Sequence, residues 1–286
     1  MEKISLIAMD MDGTLLLDGG KGIPADNIAA IREAHQAGIH LALCSGRIPD
    51  DMGFYALDTG VPMHILALNG TCTLDKPLGA IVQSDHIAEE SALAVFDLIQ
   101  HYPVAYGIFC DHDLVVSHKL SDSELLTIFG NNILREGTRT AIHFGRESAA
   151  PFLHRGVNKF MVFTLNDPET LARLRPRLEQ EISGIDVCSS WINNLEINPQ
   201  GANKGVALRA LARQLDIPLS QVMAIGDNDN DLPMLDVSGV PVSMGNGSQA
   251  AKTAAKYITL NNQDCGVAAA IRFIALGQDI PGVRRQ

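Results

Sequence analysis

No apolar run in this chain of 286 residues approaches the ~20 residues that a membrane-spanning helix needs. The opening stretch MEKISLIAMD lacks the layout of a secretory leader, because its apolar segment is short and ends in acid. Cysteine is sparse. Cys44, Cys72, Cys110, Cys188 and Cys265 are odd in number, scattered, and form no C-x-x-C pair. That argues against a disulfide framework or a zinc site and fits a reducing cytosol, with buried packing as the plain role of these thiols. Basic residues are too few for a general nucleic-acid or anionic-membrane surface. They number 22 against 33 acidic ones, for a net charge of −11, and both kinds of partner need a basic face. The basic end Val283-Arg284-Arg285-Gln286 is tiny and reads as solvated. The expected setting is cytoplasmic, with neither nucleic acid nor membrane as partner.

What is present reads as globular. Hydrophobic residues make up 46% and charged residues 19%, and the length suits one large domain or two modest ones. Short apolar runs at residues 4–9, 39–44 and 64–68 alternate with helical patterns at 24–37 and from 47 to about Gly60. Pro24 lies in the first turn of one helix, and Gly38 stops it. Residues 203–215 form an amphipathic helix with Leu208, Leu211 and Leu215 on one side. Strands at 222–225 and 240–243 and helices near Gln249 and Val267 follow. This alternation predicts an α/β fold with a Rossmann-like, doubly wound parallel sheet. The middle differs. A hairpin around Asp111-His112-Asp113, strands at 159–165 and 185–188, and helices at 88–100 and 168–181 predict an α+β insert. Trp191 reads as core or cap packing.

Four polar clusters fall where the strands end or a helix begins: Asp10-Met11-Asp12, Ser45-Gly46-Arg47, Asn203-Lys204-Gly205, and Gly226-Asp227-Asn228-Asp229-Asn230-Asp231. In open parallel sheets, ligands gather beyond the carboxyl ends of the strands. Asp10, Asp12 and Asp227 brought together would resist joint ionisation. A hard divalent cation relieves this, and an all-oxygen set predicts Mg²⁺ rather than Zn²⁺. Ser45 offers a hydroxyl to phosphate, Lys204 offers a point charge, and Gly13 and Gly46 allow close approach of the backbone. Asp10 attacking phosphorus would form an aspartyl phosphate. Asp12, two residues on and therefore on the same face of an extended segment, would protonate the leaving oxygen and then deprotonate water.

Each piece alone has a plainer reading. D-x-D pairs are common in loops, Ser45 suits a helix cap, Arg47 a surface ion pair, and Lys204 a solvated side chain. The aspartate-rich run is not an EF-hand loop, because its sixth position is Leu232 and its twelfth Ser238. Gly245-x-Gly247-x-x-Ala250 sits far from the first strand and reads as a turn rather than a dinucleotide fingerprint. Asp111-His112-Asp113 reads as a polar hairpin tip.

Together, and in this order, the clusters resemble the haloacid dehalogenase superfamily of phosphotransferases. DMDGTL is similar to its first motif, CSGR to its second, NKG to its third and GDNDNDLPML to its fourth, while NNLEINPQGANKGVAL resembles the Cof-type branch. The resemblance runs from about residue 4 to 270. It implies that Asp10 is the nucleophile and Asp12 the acid and base. It places Mg²⁺ on Asp10, on Asp12 (through its backbone in most members) and on Asp227. It assigns phosphate binding to Ser45, Gly46, Lys204 and Asn230, and supporting roles to Asp231 and Asn69. Ser45 stands where Thr is also common, and Asp229 takes no role. Motifs one and two are 35 residues apart (45 − 10), and motifs two and three 159 (204 − 45). Residues 86–197 therefore resemble a C2-type cap between core segments 1–85 and 198–286. The implied activity is hydrolysis of small phosphorylated metabolites, sugar phosphates first. The alternatives are a phosphomutase or a non-catalytic protein that binds a phosphorylated ligand. The sequence does not disclose the oligomeric state.

Overall fold

In the computed structural model, which describes residues 3–20, 22–190 and 192–286, the first apolar run forms β1 (Leu6–Met9), buried along its whole length. Trp191 lies outside the described residues. Helix α1 (Ala25–Gln36), β2 (His40–Cys44), α2 (Pro49–Thr59) and β3 (His64–Ala67) follow. Two short strands, β4 (Cys72–Leu74) and β5 (Ile81–Ser84), then turn back antiparallel on the edge of the sheet. They are too short and interrupted for the sequence pattern to show them.

The next segment builds a second sheet. It comprises α3 (Glu89–Ile99), β6 (Ala105–Cys110), β7 (Asp113–Val116), α4 (Asp122–Phe129), β8 (Ala141–Phe144), α5 (Ala150–Arg155), β9 (Lys159–Phe163), α6 (Pro168–Glu181), β10 (Ile185–Cys188) and β11 (Asn194–Pro199). Its strand order is β10-β11-β9-β6-β7-β8, antiparallel except between β7 and β8. The chain then returns to the first sheet through α7 (Lys204–Gln214), β12 (Val222–Gly226), α8 (Leu232–Val237), β13 (Val240–Ser243), α9 (Gln249–Ala254), β14 (Tyr257–Ile258), α10 (Gly266–Ala270) and β15 (Arg284–Arg285). The expected break near residue 198 falls inside β11, because NNLEINP pairs as a strand despite its polar residues.

The six parallel strands stand in the order β3-β2-β1-β12-β13-β14. The chain first winds outward from β1 in one direction and later resumes beside β1 in the other. This is the doubly wound pattern, and it leaves a crevice between the carboxyl ends of β1 and β12. Alternation along β1 buries both faces. Leu6 and Ala8 pack with Leu208 and Leu211 of α7 and Leu235 of α8. Ile7 and Met9 join Ile31 and Ala34 of α1 and Val267 and Ala270 of α10. That second cluster continues into Phe109, Met161 and Phe163 on one face of the second sheet. The other face of the second sheet packs on α3, α5 and α6. Phe129 of α4 meets Phe109 and Phe163 edge-on, with centroids 6.0 and 6.1 Å away. The two sheets therefore share one continuous apolar seam beside the crevice. The five cysteines are unpaired. Among the described residues no helix is long and apolar enough to cross a membrane.

Candidate active site

Asp10 stands one residue beyond β1, its N–H still donating to the Ile225 carbonyl of β12 at 3.0 Å. Gly13 then takes φ +74°, and a side chain there would run into the Asp227 carboxylate. The turn folds Thr14 back, so that its hydroxyl donates to Asp227 Oδ1 at 2.8 Å. Asp227 follows β12. Asp231, in the short turn after it, accepts the N–H groups of Asp227 and Asn228 at 2.9 and 3.0 Å.

Lys204 enters from α7. Asn203 caps that helix by accepting the N–H groups of Gly205 and Val206, both at 3.0 Å, and so fixes where the lysine starts. Lys204 has no exposed surface, and its Nζ donates to Asp10 Oδ1 and Asp231 Oδ1, each at 2.6 Å. Burial alone would strip the lysine of its proton, but the two carboxylates hold its pKa well above the usual value. Asp10 is pushed well above the usual carboxylate range by burial and by the charge of Asp231, against the pull of Lys204. Asp227 is pushed up to about 7, by burial first and by Asp231 second.

Asp10, Asp227 and Asp231 each place a carboxylate oxygen within 4.8 Å of the others. The donor set is all oxygen, the charges are alike, and one lysine is too little to balance three carboxylates. These residues fit a hard divalent cation such as Mg²⁺. Both oxygens of Asp231 are already engaged, by Lys204 and by two backbone N–H groups. Asp10 and Asp227 each keep one oxygen that no hydrogen bond among the described residues reaches, so they are the natural side-chain ligands. The Asp12 carboxylate does not join this group. It is turned onto Arg47, leaving only its backbone carbonyl for such a role.

A cavity of about 310 Å³ opens here, small-metabolite size. Asp10, Asp12, Ser45, Gly46 and Asn230 line it from the first sheet, with Phe109, Phe129, Lys159, Met161 and Glu196 from the second. Of the three clustered carboxylates, Asp10 alone lines it. Lys204 does not line it and reaches it only through Asp10. Asn69 also stays behind the wall, its Nδ2 donating to Glu196 Oε2 at 2.5 Å.

Sequence reasoning passes over two charges in this wall. Lys159 Nζ donates to the Gly46 carbonyl at 2.6 Å, sits 3.7 Å from Glu196, and lies 4.7 Å from the centre of the Phe109 ring. Burial would raise the pKa of Glu196, but Lys159, Asn69 and Ser190 together hold it below its usual range. The available signal is a lone charge inside each of two strands, KFMVF and NLEINP. The remaining tempting motifs carry no such site. Asp111-His112-Asp113 is the tip between β6 and β7, and among the described residues it forms no metal-holding group. Gly245 and Gly247 lie in the turn between β13 and α9.

The family model for haloacid dehalogenase-like hydrolases matches residues 7–271. The chain is 33% identical to an HMP-PP phosphatase of Yersinia pseudotuberculosis over 84% of each chain. It is 29% identical to the 5-amino-6-(5-phospho-D-ribitylamino)uracil phosphatase YcsE of Bacillus subtilis over 96% of each. A solved haloacid dehalogenase-like hydrolase from Bacteroides thetaiotaomicron superposes with a TM-score of 0.79 at 26% identity, covering 95% of this chain and 100% of the other.

Two predictions follow from the charges. Lys204→Ala leaves Asp10 and Asp231 uncompensated, and kcat/KM for a phosphate ester should fall roughly 10²-fold or more, the scale of a lost electrostatic stabiliser. Activity near that of the wild type would make Lys204 a structural cation only. The second concerns pH. A carboxyl that holds its proton more tightly folded than unfolded costs stability as pH rises between the two pKa values, here from 3.8 to about 7 for Asp227. Bound Mg²⁺ takes the place of that proton. Stabilisation by Mg²⁺, about 2.7 kcal/mol at 100 times its Kd, should therefore grow from about pH 5.5 to about pH 8 in thermal melts. Asp227→Asn should lose the share of that growth owed to Asp227 and keep only the share owed to Asp10, whose carboxyl is also raised. A pH-independent shift in the wild type would count against Asp227 as a ligand.

Proposed function

The chain belongs to the haloacid dehalogenase-like hydrolases and is a phosphatase, and from that premise we propose that it hydrolyses small phosphate monoesters through an aspartyl phosphate on Asp10. The observation that carries this reading is the position of Asp10 in the cavity wall. Three carboxylates cluster at the switch point of the sheet, and only Asp10 presents itself to the cavity. Lys204 fixes its orientation from behind.

In the first step an Asp10 oxygen bonds to phosphorus, the bond from phosphorus to the leaving oxygen breaks, and Asp12 gives that oxygen its proton. In the second, water bonds to phosphorus and gives a proton to Asp12. The bond between phosphorus and Asp10 breaks with its electron pair returning to the carboxylate, and orthophosphate leaves. Ser45, the backbone around Gly46, and Asn230 face the cavity from the side where the phosphoryl group would lie, and are its proposed binding groups. Mg²⁺, held by Asp10, Asp227 and the backbone of Asp12, would supply positive charge beside the phosphoryl oxygens. Residues 86–197 are proposed as a cap, with core segments 1–85 and 198–286. That cap brings Phe109, Met161, Lys159 and Glu196 over the leaving group and excludes bulk water. A sugar or polyol phosphate suits this mixture of apolar wall and polar groups. The relative YcsE is named for a substrate carrying a phosphoribityl chain.

Acid quench and intact-mass analysis test the two aspartates. With p-nitrophenyl phosphate and Mg²⁺, Asp10→Asn should form no phosphoenzyme. Asp12→Asn should accumulate phosphate on Asp10, because a good leaving group needs little acid whereas water still needs its base, a contribution of ~10²–10⁴-fold. Phosphate on any other residue would refute the assignment. Orthophosphate release, rather than transfer back to the organic product, separates the hydrolase from a mutase.

A further inference from the structure

The Asp12 carboxylate is not free at the cavity wall. Arg47 grips it with both arms of its guanidinium, Nε to Oδ2 at 2.6 Å and Nη2 to Oδ1 at 2.7 Å. The third nitrogen, Nη1, donates at 2.6 Å to Asp51, whose side chain is wholly buried on α2. Only 14% of the Arg47 side chain is exposed, against 57% for Asp12. The surface ion pair read from the sequence is therefore an anchored one. Asp51 is fixed in turn by the Asn132 N–H at 2.7 Å. At Gly130, φ is +132°, and any side chain would collide with the Asp51 carboxylate. The segment that bounds the cavity after α4 is thus tied through Asp51 and Arg47 to Asp12.

We propose that Arg47 is the positioning residue for the second half-reaction. It holds the Asp12 side chain in the plane and place from which that carboxylate takes a proton from the attacking water. The inference rests on the reading of Asp12 as the base. A two-armed fork fixes a carboxylate plane, as a single contact does not. Each carboxylate oxygen has two acceptor sites, so the fork leaves one on each oxygen for the reacting proton. Asp12 and Asp10 line the same cavity, so that free site serves the ester formed on Asp10. Asp51 balances the guanidinium and keeps it from turning to the phosphate, which would otherwise be the better partner for an arginine.

The test is transient kinetics of Arg47→Met and Arg47→Lys with p-nitrophenyl phosphate and Mg²⁺, with Asp12→Asn alongside. Because kcat/KM reports only the steps up to phosphorylation, Arg47→Met should keep it within a few-fold of the wild type. Its kcat should fall tenfold or more, with a burst of nitrophenol and phosphate accumulating on Asp10. Arg47→Lys, which keeps the charge and loses the fork, should fall between the two. The burst is read per phosphorylated molecule, so a loss of folded protein lowers its amplitude and not the decay rate of the phosphoenzyme. Equal falls in kcat and kcat/KM with no phosphoenzyme would overturn the proposal and make Arg47 a phosphate ligand or a structural residue. So would phosphoenzyme decay at the wild-type rate in Arg47→Met. If Asp12→Asn itself accumulates no phosphoenzyme, the underlying reading of Asp12 fails instead.

Discussion

A lysine with no exposed surface lies between two carboxylates at the centre of this molecule. Buried charge is tolerated only when paired and hydrogen-bonded, and this requirement organises everything near it. Lys204 needs Asp10 and Asp231; Asp231 in turn ties down the backbone at Asp227 and Asn228, and Thr14 holds Asp227. The fold brings these groups together because β1 and β12 are neighbours at the switch point, and because Asn203 starts α7 where its first residue faces both strand ends. Even so, the balance is incomplete. Three carboxylates against one ammonium push the Asp10 and Asp227 carboxyls above the usual carboxylate range. That residual imbalance is what suits the site to a divalent cation and a phosphoryl group together.

The cavity divides its chemistry between the two sheets. The strand ends of the first sheet place carboxylates and a hydroxyl on the cavity, the groups proposed for phosphoryl transfer. The second sheet supplies an apolar wall and one internally neutralised pair, Lys159 with Glu196. Lys159 is already committed to the Gly46 carbonyl and to the Phe109 face, and Glu196 to Asn69 and Ser190. Among the described residues, a second anionic group on a substrate would meet no cation on that wall besides Lys159, already paired with Glu196. Hydroxyl groups would meet donors and acceptors together on this wall, Ser190 and Asn194 among them, which agrees with a polyol ester as the proposed substrate.

Much of this is legible in the sequence, for physical reasons. Strands buried on both faces appear as unbroken apolar runs, so β1, β2, β3, β12 and β13 are visible, and proline and glycine mark the ends of α1 and α2. Asp10, Asp227 and Lys204 are visible because strand ends and a capped helix start announce them. The short strands β4, β5 and β14 toward the sheet's two edges are not, since two to four residues carry no period. Strand β11 is hidden by its own polar residues, which the site uses. Lys159, Glu196 and the Arg47–Asp51 anchor are invisible for a different reason. Their burial depends on partners from distant segments, and a single charged residue looks solvated until its partner is known. The same holds for Asp12. Its two-residue spacing from Asp10 puts both on the cavity, but nothing local says that its carboxylate is held by Arg47 rather than shared with a cation.

The most direct measurement is a crystal structure of the protein with Mg²⁺ and beryllofluoride, which mimics a phosphoryl group bonded to a carboxylate. The account predicts beryllium bonded to an Asp10 oxygen, a cation shared by Asp10 and Asp227, and Arg47 still gripping Asp12. Beryllofluoride bonded to another side chain, or a cation bound away from Asp10 and Asp227, would contradict it.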